Sequence, residues 1–245
     1  MQLEVLLKIL TPSLSNRKVL NIAHTGGGKM HIIRVLGTYA RAVHLVIHPI
    51  LALTADQVLK FMEGTDKYGA IDAHNMDASP KALRKQIIAK MGRLVGDITT
   101  TLFIFVSPQT LAGDKSFLDA VIKCARSGTL RSVVTDEAHL LAVQGASFRM
   151  EIRKLRKVFW DVVLSQQFSP LVLVMTGTMS QRNLTTFTKL TSLDFPPEST
   201  QWETSNDFEQ RYLSMDLIIS SKYTTHLNLV ATFLCDREND AAFVW

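Results

Sequence analysis

Residues 133–139 are Val-Val-Thr-Asp-Glu-Ala-His, and this stretch decides the fold. Its first half is apolar and β-branched, which predicts a buried strand that begins at Leu130. Asp136 and Glu137 follow at once, so we expect them at the carboxyl edge of a sheet, where open α/β sheets bind ligands. Asp136 is suited to hold Mg²⁺, directly or through water, and Glu137 to polarise an attacking water. A solvated acidic turn is the plainer alternative.

A glycine-rich loop lies far upstream of these carboxylates. Residues 23–29 are Ala-His-Thr-Gly-Gly-Gly-Lys, and an apolar run precedes them. Glycines let backbone N–H groups close around phosphate oxygens, and the following helix turns its positive end toward them. Taken alone, the loop also fits a flexible turn between a strand and a helix; together with the carboxylates it favours a nucleotide site. The candidate phosphate-binding residues are Thr25, Gly26, Gly27, Gly28, Lys29 and Met30.

Met30 departs from the phosphate-loop pattern. The pattern places Ser or Thr after the lysine because a hydroxyl oxygen ligates Mg²⁺, whereas Lys29 itself reaches the β- and γ-phosphates. A thioether is a soft ligand and Mg²⁺ is a hard ion, so Met30 cannot replace that hydroxyl. The sequence therefore predicts that nucleotide binding is retained and that hydrolysis is weak.

Apolar runs of strand length alternate with segments of helical periodicity along the chain. This alternation predicts an α/β fold with a mainly parallel sheet and helices on both faces. Predicted strands cover residues 17–23, 43–48, 102–106, 130–135 and 171–175. Predicted helices cover residues 3–10, 30–39, 50–62, 117–124 and 148–163, and another begins with Ser79 as its N-cap and Pro80 as its first residue.

The 245 residues are enough for one large α/β domain, or for one domain and part of another. Residues 196–200, Pro-Pro-Glu-Ser-Thr, are typical of a linker. We therefore predict a first domain over 1–195. The remainder, 196–245, would hold the linker and the start of a second, incomplete α/β unit.

Composition and charge indicate which partners and which cellular compartment suit the protein. The net charge is +5 and the pI about 9.2, which suits a polyanionic partner without requiring one. The two cysteines, Cys124 and Cys235, lack metal spacing, so we expect an intracellular, reducing compartment and no zinc site. Early charges argue against a signal peptide, and no apolar run is long enough for a membrane span.

The motifs taken together resemble those of superfamily 2 helicases, and more narrowly of the RecQ-like group. Residues 176–178, Thr-Gly-Thr, follow a strand as the family's third motif does. Residues 48–58 look like its DNA-contacting segment, Pro-Leu-x-x-Leu-x-x-Asp-Gln, and 106–109 look like Val-Ser-Pro-Glu. Residues 144–149 resemble the RecQ aromatic-rich loop, and Gln2 resembles the adenine-reading glutamine. The resemblance covers roughly residues 2 to 180.

This resemblance implies a RecA-like P-loop NTPase domain, the first motor domain of an ATP-dependent DNA helicase. Such a motor uses ATP and Mg²⁺, binds single-stranded DNA or a tailed duplex, moves 3′ to 5′, and is nuclear in a eukaryote. The implied catalytic residues are Lys29, Glu137 and His139, with Gln2 at the adenine. Residues implied in DNA contact or coupling are Pro49, Gln57, Ser107, Pro108, Phe148, Arg149, Thr176 and Thr178.

Three departures from the family pattern support a competing hypothesis. Met30 replaces the metal-ligating hydroxyl, and Gln144 and Ala146 stand where the aromatic-rich loop usually has Trp and His. The second RecA-like domain, with its arginine finger, would have to come from elsewhere. The alternative is therefore a catalytically degenerate helicase fragment that only binds ATP or nucleic acid. A small-molecule kinase is a third hypothesis, which the residues 136–139, 176–178 and 49–57 disfavour.

Overall fold

The computed structural model describes residues 17–23, 28–49, 58–59, 61–62, 71–95, 100–143, 146–195 and 200–202. The chain divides into two compact units, Met1–Glu203 and Thr204–Trp245. All described residues belong to the first unit. The helix predicted over 3–10 and the elements predicted beyond 202 lie outside the described residues and stay predictions.

The described residues form a sheet of seven strands, all paired in parallel. Its spatial order is β3–β4–β2–β5–β6–β1–β7. Because neighbouring strands run in the same direction, their carboxyl ends meet at one edge. The strands are β1 Lys18–Ile22, β2 Val43–Ile47, β3 Ile71–Asn75, β4 Thr101–Val106, β5 Leu130–Thr135, β6 Leu171–Thr176 and β7 Thr200–Trp202.

Helices connect the strands and cover both faces of the sheet. A π-helical turn, Arg156–Trp160, separates α6 from α7. The T-shaped pair of Phe159 and Trp160, with ring centroids 4.9 Å apart, is buried within that turn. The helices are α1 Lys29–Tyr39, α2 Lys81–Leu94, α3 Pro108–Gly113, α4 Lys115–Arg126, α5 Ala138–Val143, α6 Ala146–Leu155, α7 Asp161–Leu164 and α8 Gln181–Thr191.

Two hydrophobic cores follow from the two faces. The larger core packs alternate residues of the strands against α2–α8. The smaller core packs the other residues of the strands against α1, through Ile32, Ile33 and Leu36. Continuous apolar strands such as β4, buried along its whole length, are what a sheet covered on both faces requires.

A glycine lets α1 approach the sheet closely. A Cβ on Gly37 would lie 2.5 Å from Phe103 Cε2, which is far inside van der Waals contact. Phe103 cannot move aside easily, because it packs edge-on against Phe61 and stacks on His44. The Thr101 hydroxyl uses the same close approach to donate to the Gly37 carbonyl at 2.8 Å.

His44 is buried in β2 and held on both ring nitrogens. Its Nε2 lies 2.7 Å from the Ala40 carbonyl and its Nδ1 2.7 Å from the Ser132 hydroxyl. A carbonyl only accepts, so Nε2 carries the proton and Nδ1 accepts from Ser132. Burial lowers the pKa of His44 to about 4, against a partly opposing effect of the bond to Ala40.

The predicted fold class is confirmed, and most predicted elements lie where the sequence placed them. All five predicted strands occur, as do the helices at 30–39 and 117–124. The helix predicted over 148–163 is interrupted by the π-helical turn, and α2 begins at Lys81 with Pro80 as its N-cap. Of the helix predicted over 50–62, only residues 58–59 and 61–62 are described, and they are helical.

The strand β7 lies past the domain boundary that we predicted after residue 195. It begins at the end of the predicted linker and pairs with β1, with Gln201 opposite Asn21. The sheet of the first unit therefore extends to residue 202. In the described part of the chain, no helix is both long and apolar enough to cross a bilayer.

Candidate nucleotide and nucleic-acid site

The carboxyl ends of five neighbouring strands bring the predicted motifs to one edge of the sheet. Along this edge, in the spatial order β4–β2–β5–β6–β1, the strands are followed by Ser107, His48, Asp136, Gly177 and Ala23. The ends of β1 and β6 are joined at this edge, because the Ala23 amide donates to the Thr176 carbonyl at 3.0 Å. Motifs that are far apart in sequence are therefore adjacent in space.

The phosphate loop ends in a left-handed glycine that starts α1. Gly28 has φ 79°, a conformation that only glycine adopts without strain, and it occupies the N-cap position. It has no side chain with which to cap the helix, and the first turn of α1 carries no acidic residue. The positive end of the helix dipole is therefore available to an anion at the loop.

Lys29 is held between the end of β1 and the acidic residues of β5. Its Nζ donates to the Ala23 carbonyl at 3.2 Å and lies 4.0 Å from Glu137 Oε1. The residue is largely buried, and these two contacts place its ammonium between the ends of β1 and β5.

Asp136 is a buried carboxylate, only 4% exposed. Its Oδ1 accepts from the Glu137 amide at 2.9 Å, and its own amide donates to the Ile47 carbonyl at 3.0 Å. Burial raises the pKa of Asp136 and the adjacent Glu137 carboxylate raises it further, although His48 and Lys29 act in the opposite direction. Cations of the chain therefore compensate this carboxylate incompletely, and an additional cation would be stabilised beside it.

Glu137 has a backbone conformation that is uncommon for a residue with a side chain. Its φ is 48°, in the left-handed region. Such strain tends to persist at functional sites, where surrounding contacts impose it. Here the imposed turn places one carboxylate oxygen 4.0 Å from Lys29 Nζ and the other 3.4 Å from His139 Nδ1.

His139 joins the acidic motif to the Thr-Gly-Thr turn. The Thr176 hydroxyl donates to the Thr178 carbonyl at 2.9 Å, and lies 2.8 Å from His139 Nδ1. Because that hydroxyl has only one hydrogen, His139 Nδ1 must be the donor. The His139 amide donates to the same oxygen at 3.3 Å. The bonding pattern thus fixes the Nδ1–H tautomer and the ring orientation.

The resemblance places His48 at the start of the DNA-contacting segment, 48–58, but implies no contact between His48 and Asp136. His48 follows β2, is fully buried, and places Nε2 3.9 Å from Asp136 Oδ2. Its amide donates to the Val106 carbonyl at 3.0 Å, at the end of β4. The signal that could have identified it is the parallel pairing of β2 with β5, which puts His48 beside Asp136.

The oxygen donors at this edge fit Mg²⁺ that is bound together with a nucleotide. Mg²⁺ keeps several waters and takes one or two carboxylates together with phosphate oxygens of the nucleotide, and Asp136 is placed to supply a carboxylate. Within the described ranges, no group of three or more His, Cys, Asp or Glu side chains is placed to hold a metal ion without oxygens from a nucleotide. Met30 is half-buried and packs against the smaller core, so it contributes packing and no hard ligand.

The motifs implied in DNA contact lie on the other half of the edge. Pro49 is buried after β2, and Ser107 and Pro108 are buried at the junction of β4 and α3. Ser107 is 1% exposed, and its hydroxyl caps α3 by accepting from the Thr110 amide at 3.2 Å. The Ser107 side chain therefore fixes the start of α3.

Several predicted site residues stay predictions. Gln2, Thr25, Gly26, Gly27 and Gln57 lie outside the described residues. Phe148 and Arg149 belong to α6, whose backbone is described there, while their side chains lie outside the description.

Residues 1–187 match the DEAD/DEAH box helicase family. The chain belongs to this family. The ATP-dependent DNA helicase Q-like 2 of Arabidopsis thaliana is 26% identical over 176 residues, which cover 71% of this chain and 23% of that protein. The ATP-dependent DNA helicase RecQ of Synechocystis is 28% identical over 144 residues, covering 58% and 27%. These relatives confirm the narrower resemblance to the RecQ-like group.

This DEAD/DEAH box chain spans about a quarter of the length of those relatives. Its fold is similar to that of the DUF1998 helicase MrfA, solved bound to DNA and AMPPNP. The TM-score is 0.60 at 15% identity, over 96% of this chain and 32% of that one. At that identity the likeness shows the fold alone, a RecA-like α/β domain.

Proposed function

We propose that the chain is the ATP-binding half of a RecQ-like DNA helicase motor. ATP with Mg²⁺ would bind at the β1–β6–β5 part of the strand edge, and single-stranded DNA at the β2–β4 part. The observation that carries the proposal is the cluster in which Lys29, Glu137, His139 and Thr176 are joined by contacts of 2.8–4.0 Å. The relatives named above are ATP-dependent DNA helicases, which supports the same assignment.

The residues divide the chemistry between them. Lys29, released from the Ala23 carbonyl, would bind the β- and γ-phosphates beside the N-terminus of α1. Glu137 would orient and polarise the attacking water, and His139 would hold Glu137 relative to the Thr176 turn. Mg²⁺, when bound by Asp136, supplies charge neutralisation for the phosphates.

A complete motor would require a second RecA-like domain. Two such domains close around ATP and open after hydrolysis, and the second supplies an arginine finger. We propose that this domain comes from further sequence or another polypeptide, and that the assembled motor moves 3′ to 5′ as in the RecQ-like group. An intracellular location, nuclear in a eukaryote, remains part of the proposal.

One observation favours a second candidate function. Met30 offers no hydroxyl to the metal, and its side chain packs against the smaller core. Loss of one preorganised stabilising group typically lowers a catalytic rate on the order of 10²–10³-fold. The chain would then be a module that binds ATP and nucleic acid with little hydrolysis.

Nucleotide binding tests the proposal first. A fluorescent ATP analogue with Mg²⁺ should bind the purified chain, and Lys29→Ala should weaken it at least about tenfold, because a charge-assisted contact is lost. Lys85→Ala, a change on the exposed face of α2, is the matched control and should leave affinity unchanged. Equal affinities of the three proteins would contradict a site at Lys29.

ATP hydrolysis then separates the two candidates. The chain would be mixed with a second polypeptide that carries the second RecA-like domain of a relative, with and without single-stranded DNA. Hydrolysis that DNA stimulates and Glu137→Gln abolishes supports the helicase motor. Nucleotide and DNA binding without stimulated hydrolysis supports the degenerate module. DNA binding should be sequence-independent and fall steeply between about 50 and 200 mM salt.

A further inference from the structure

Asp77 lies beside the segment of the site that is implied in DNA contact. It belongs to the turn between β3 and α2, and no motif of the sequence includes it. Asn75 organises the turn, since its side-chain oxygen accepts from the Asp77 amide at 2.9 Å and from the Ala78 amide at 3.2 Å. The turn is thus held by hydrogen bonds between its own residues.

The Asp77 carboxylate accepts three hydrogen bonds from the start of α3. Its Oδ2 accepts from the Ser107 amide at 2.7 Å, and its Oδ1 accepts from the Ser107 hydroxyl at 2.7 Å and from the Thr110 hydroxyl. The Ser107 hydroxyl in turn accepts from the Thr110 amide. One carboxylate therefore fixes both a backbone amide and the cap that starts α3.

A second set of contacts holds Asp77 itself in place. Arg84 on α2 donates to the Asp77 carbonyl at 3.0 Å and to the Ser79 carbonyl at 2.9 Å. Another guanidinium nitrogen of Arg84 lies 3.9 Å from Asp114, the N-cap of α4. The positive charge of Arg84 is engaged in this way, so the arginine supports the turn.

We infer that Asp77 is a positioning residue for nucleic-acid binding by this chain. It holds the Ser107–Thr110 segment in the conformation that meets the sugar-phosphate backbone of single-stranded DNA. The inference rests on the proposed function, because it assumes that this segment contacts DNA.

Charge and position act in opposite directions at Asp77. A carboxylate near a DNA-binding surface repels phosphates, so removing the charge alone should tighten binding. Loss of the clamp on Ser107 should weaken binding, since contacts to phosphate depend on where the backbone and hydroxyl groups are held. The sign of the change in affinity therefore distinguishes a positioning residue from a carboxylate that acts only through its charge.

The test is binding of a fluorescent oligothymidine at fixed low salt, measured by anisotropy. Asp77→Asn should weaken binding about fivefold, because an amide cannot accept all three bonds. The matched control Asp119→Asn removes an exposed carboxylate of α4 and should leave affinity unchanged or slightly higher. Tighter or unchanged binding by Asp77→Asn would overturn the inference.

Two further variants separate positioning from a general loss of folding. The double variant, Asp77→Asn with Ser107→Ala, should bind DNA no more weakly than the weaker-binding of the two single variants. Both substitutions break the same set of hydrogen bonds, so the second adds nothing to the first. Thr110→Val removes one of the three donors and should weaken binding about twofold, while its midpoint of thermal unfolding stays well above the temperature of the binding assay. The inference would be overturned if the losses of affinity of the two single variants added in the double variant, or if Thr110→Val bound DNA with unaltered affinity. An unaltered chain that binds no oligothymidine would overturn DNA binding itself, and this inference with it.

Discussion

The Thr176 hydroxyl accepts a hydrogen bond from His139 Nδ1 at 2.8 Å and joins the end of β6 to the acidic motif after β5. The same oxygen donates to the Thr178 carbonyl, so the turn after β6 and the orientation of His139 depend on one side chain. His139 Nδ1 also lies 3.4 Å from Glu137. A change in the position of the Thr-Gly-Thr turn would therefore reach the residue proposed to polarise water.

Two buried threonines at the ends of neighbouring strands should respond oppositely to the same substitution. Thr176→Val removes a hydroxyl with three partners and should lower the free energy of unfolding by about 1–3 kcal/mol. Thr135→Val removes a buried hydroxyl that has no partner among the described residues, and should be neutral or stabilise by about 1 kcal/mol. Urea unfolding measures both. Equal losses would show that Thr135 has a partner.

Two helical glycines form a second matched pair. Gly37→Ala should destabilise the chain by about 1–3 kcal/mol, because the added Cβ would lie 2.5 Å from Phe103 Cε2. Gly92→Ala in α2 meets nothing within 4 Å and should stabilise the chain by about 0.5–1 kcal/mol through helix propensity. Thermal unfolding of the two variants checks the difference. A tolerated Gly37→Ala would mean that α1 can move away from the sheet.

Much of the fold was predictable because the strands that form its centre are rich in apolar residues and almost wholly buried. β5 occurs over the predicted residues, and Asp136 follows it as expected. The edge strands were missed for physical reasons. β3, Ile-Asp-Ala-His-Asn, lacks an apolar run, and β7 is three residues long and is identified only by its pairing with β1.

The candidate site was predictable wherever a motif carries its own chemistry. Lys29 and Glu137 belong to recognisable segments, and the structure brings them to 4.0 Å. His48 lies in the segment 48–58 without a role of its own there, and Asp77 lies in no motif, because their roles arise from the lateral order of strands. A single sequence does not give that order, so neither the neighbour of Asp136 nor the clamp on Ser107 was predictable.

The stability of the chain should fall below neutral pH because of His44. In the unfolded chain this imidazole takes up a proton near its ordinary pKa of 6.5, whereas burial lowers the pKa to about 4 in the folded chain. The contribution of His44 to the free energy of unfolding is therefore complete above pH 6.5. As the pH falls from 6.5 toward 4, the free energy of unfolding decreases by about 3 kcal/mol in total. Urea unfolding between pH 7.5 and 4.5 should give a flatter profile for His44→Gln than for the unaltered chain. The exposed His31→Gln is the control, and parallel profiles for all three proteins would contradict the assignment.

The ionised Asp136 side chain should strengthen binding of Mg²⁺ and lower the thermal stability of the folded chain. Burial and the Glu137 charge raise the pKa of its carboxyl, which means that the folded chain disfavours the ionised form. At pH 7.5 Asp136→Asn should therefore raise the melting temperature while it weakens the Mg²⁺-dependent part of nucleotide affinity. Asp119→Asn should change neither. A lower melting temperature for Asp136→Asn would show that His48 and Lys29 compensate the charge fully.

Met30 should limit hydrolysis more than binding. A hydroxyl beside Lys29 gives Mg²⁺ a hard ligand that a thioether lacks, so Met30→Ser should increase the effect of Mg²⁺ on affinity for a fluorescent ATP analogue. With a second RecA-like domain supplied on another polypeptide, its ATPase rate should rise on the order of 10²–10³-fold. Met150→Ser, a change at an exposed methionine of α6, is the control and should leave both measurements unchanged. An unaltered ATPase rate in Met30→Ser, with ATP bound normally, would show that the metal does not use this position and that hydrolysis is limited elsewhere.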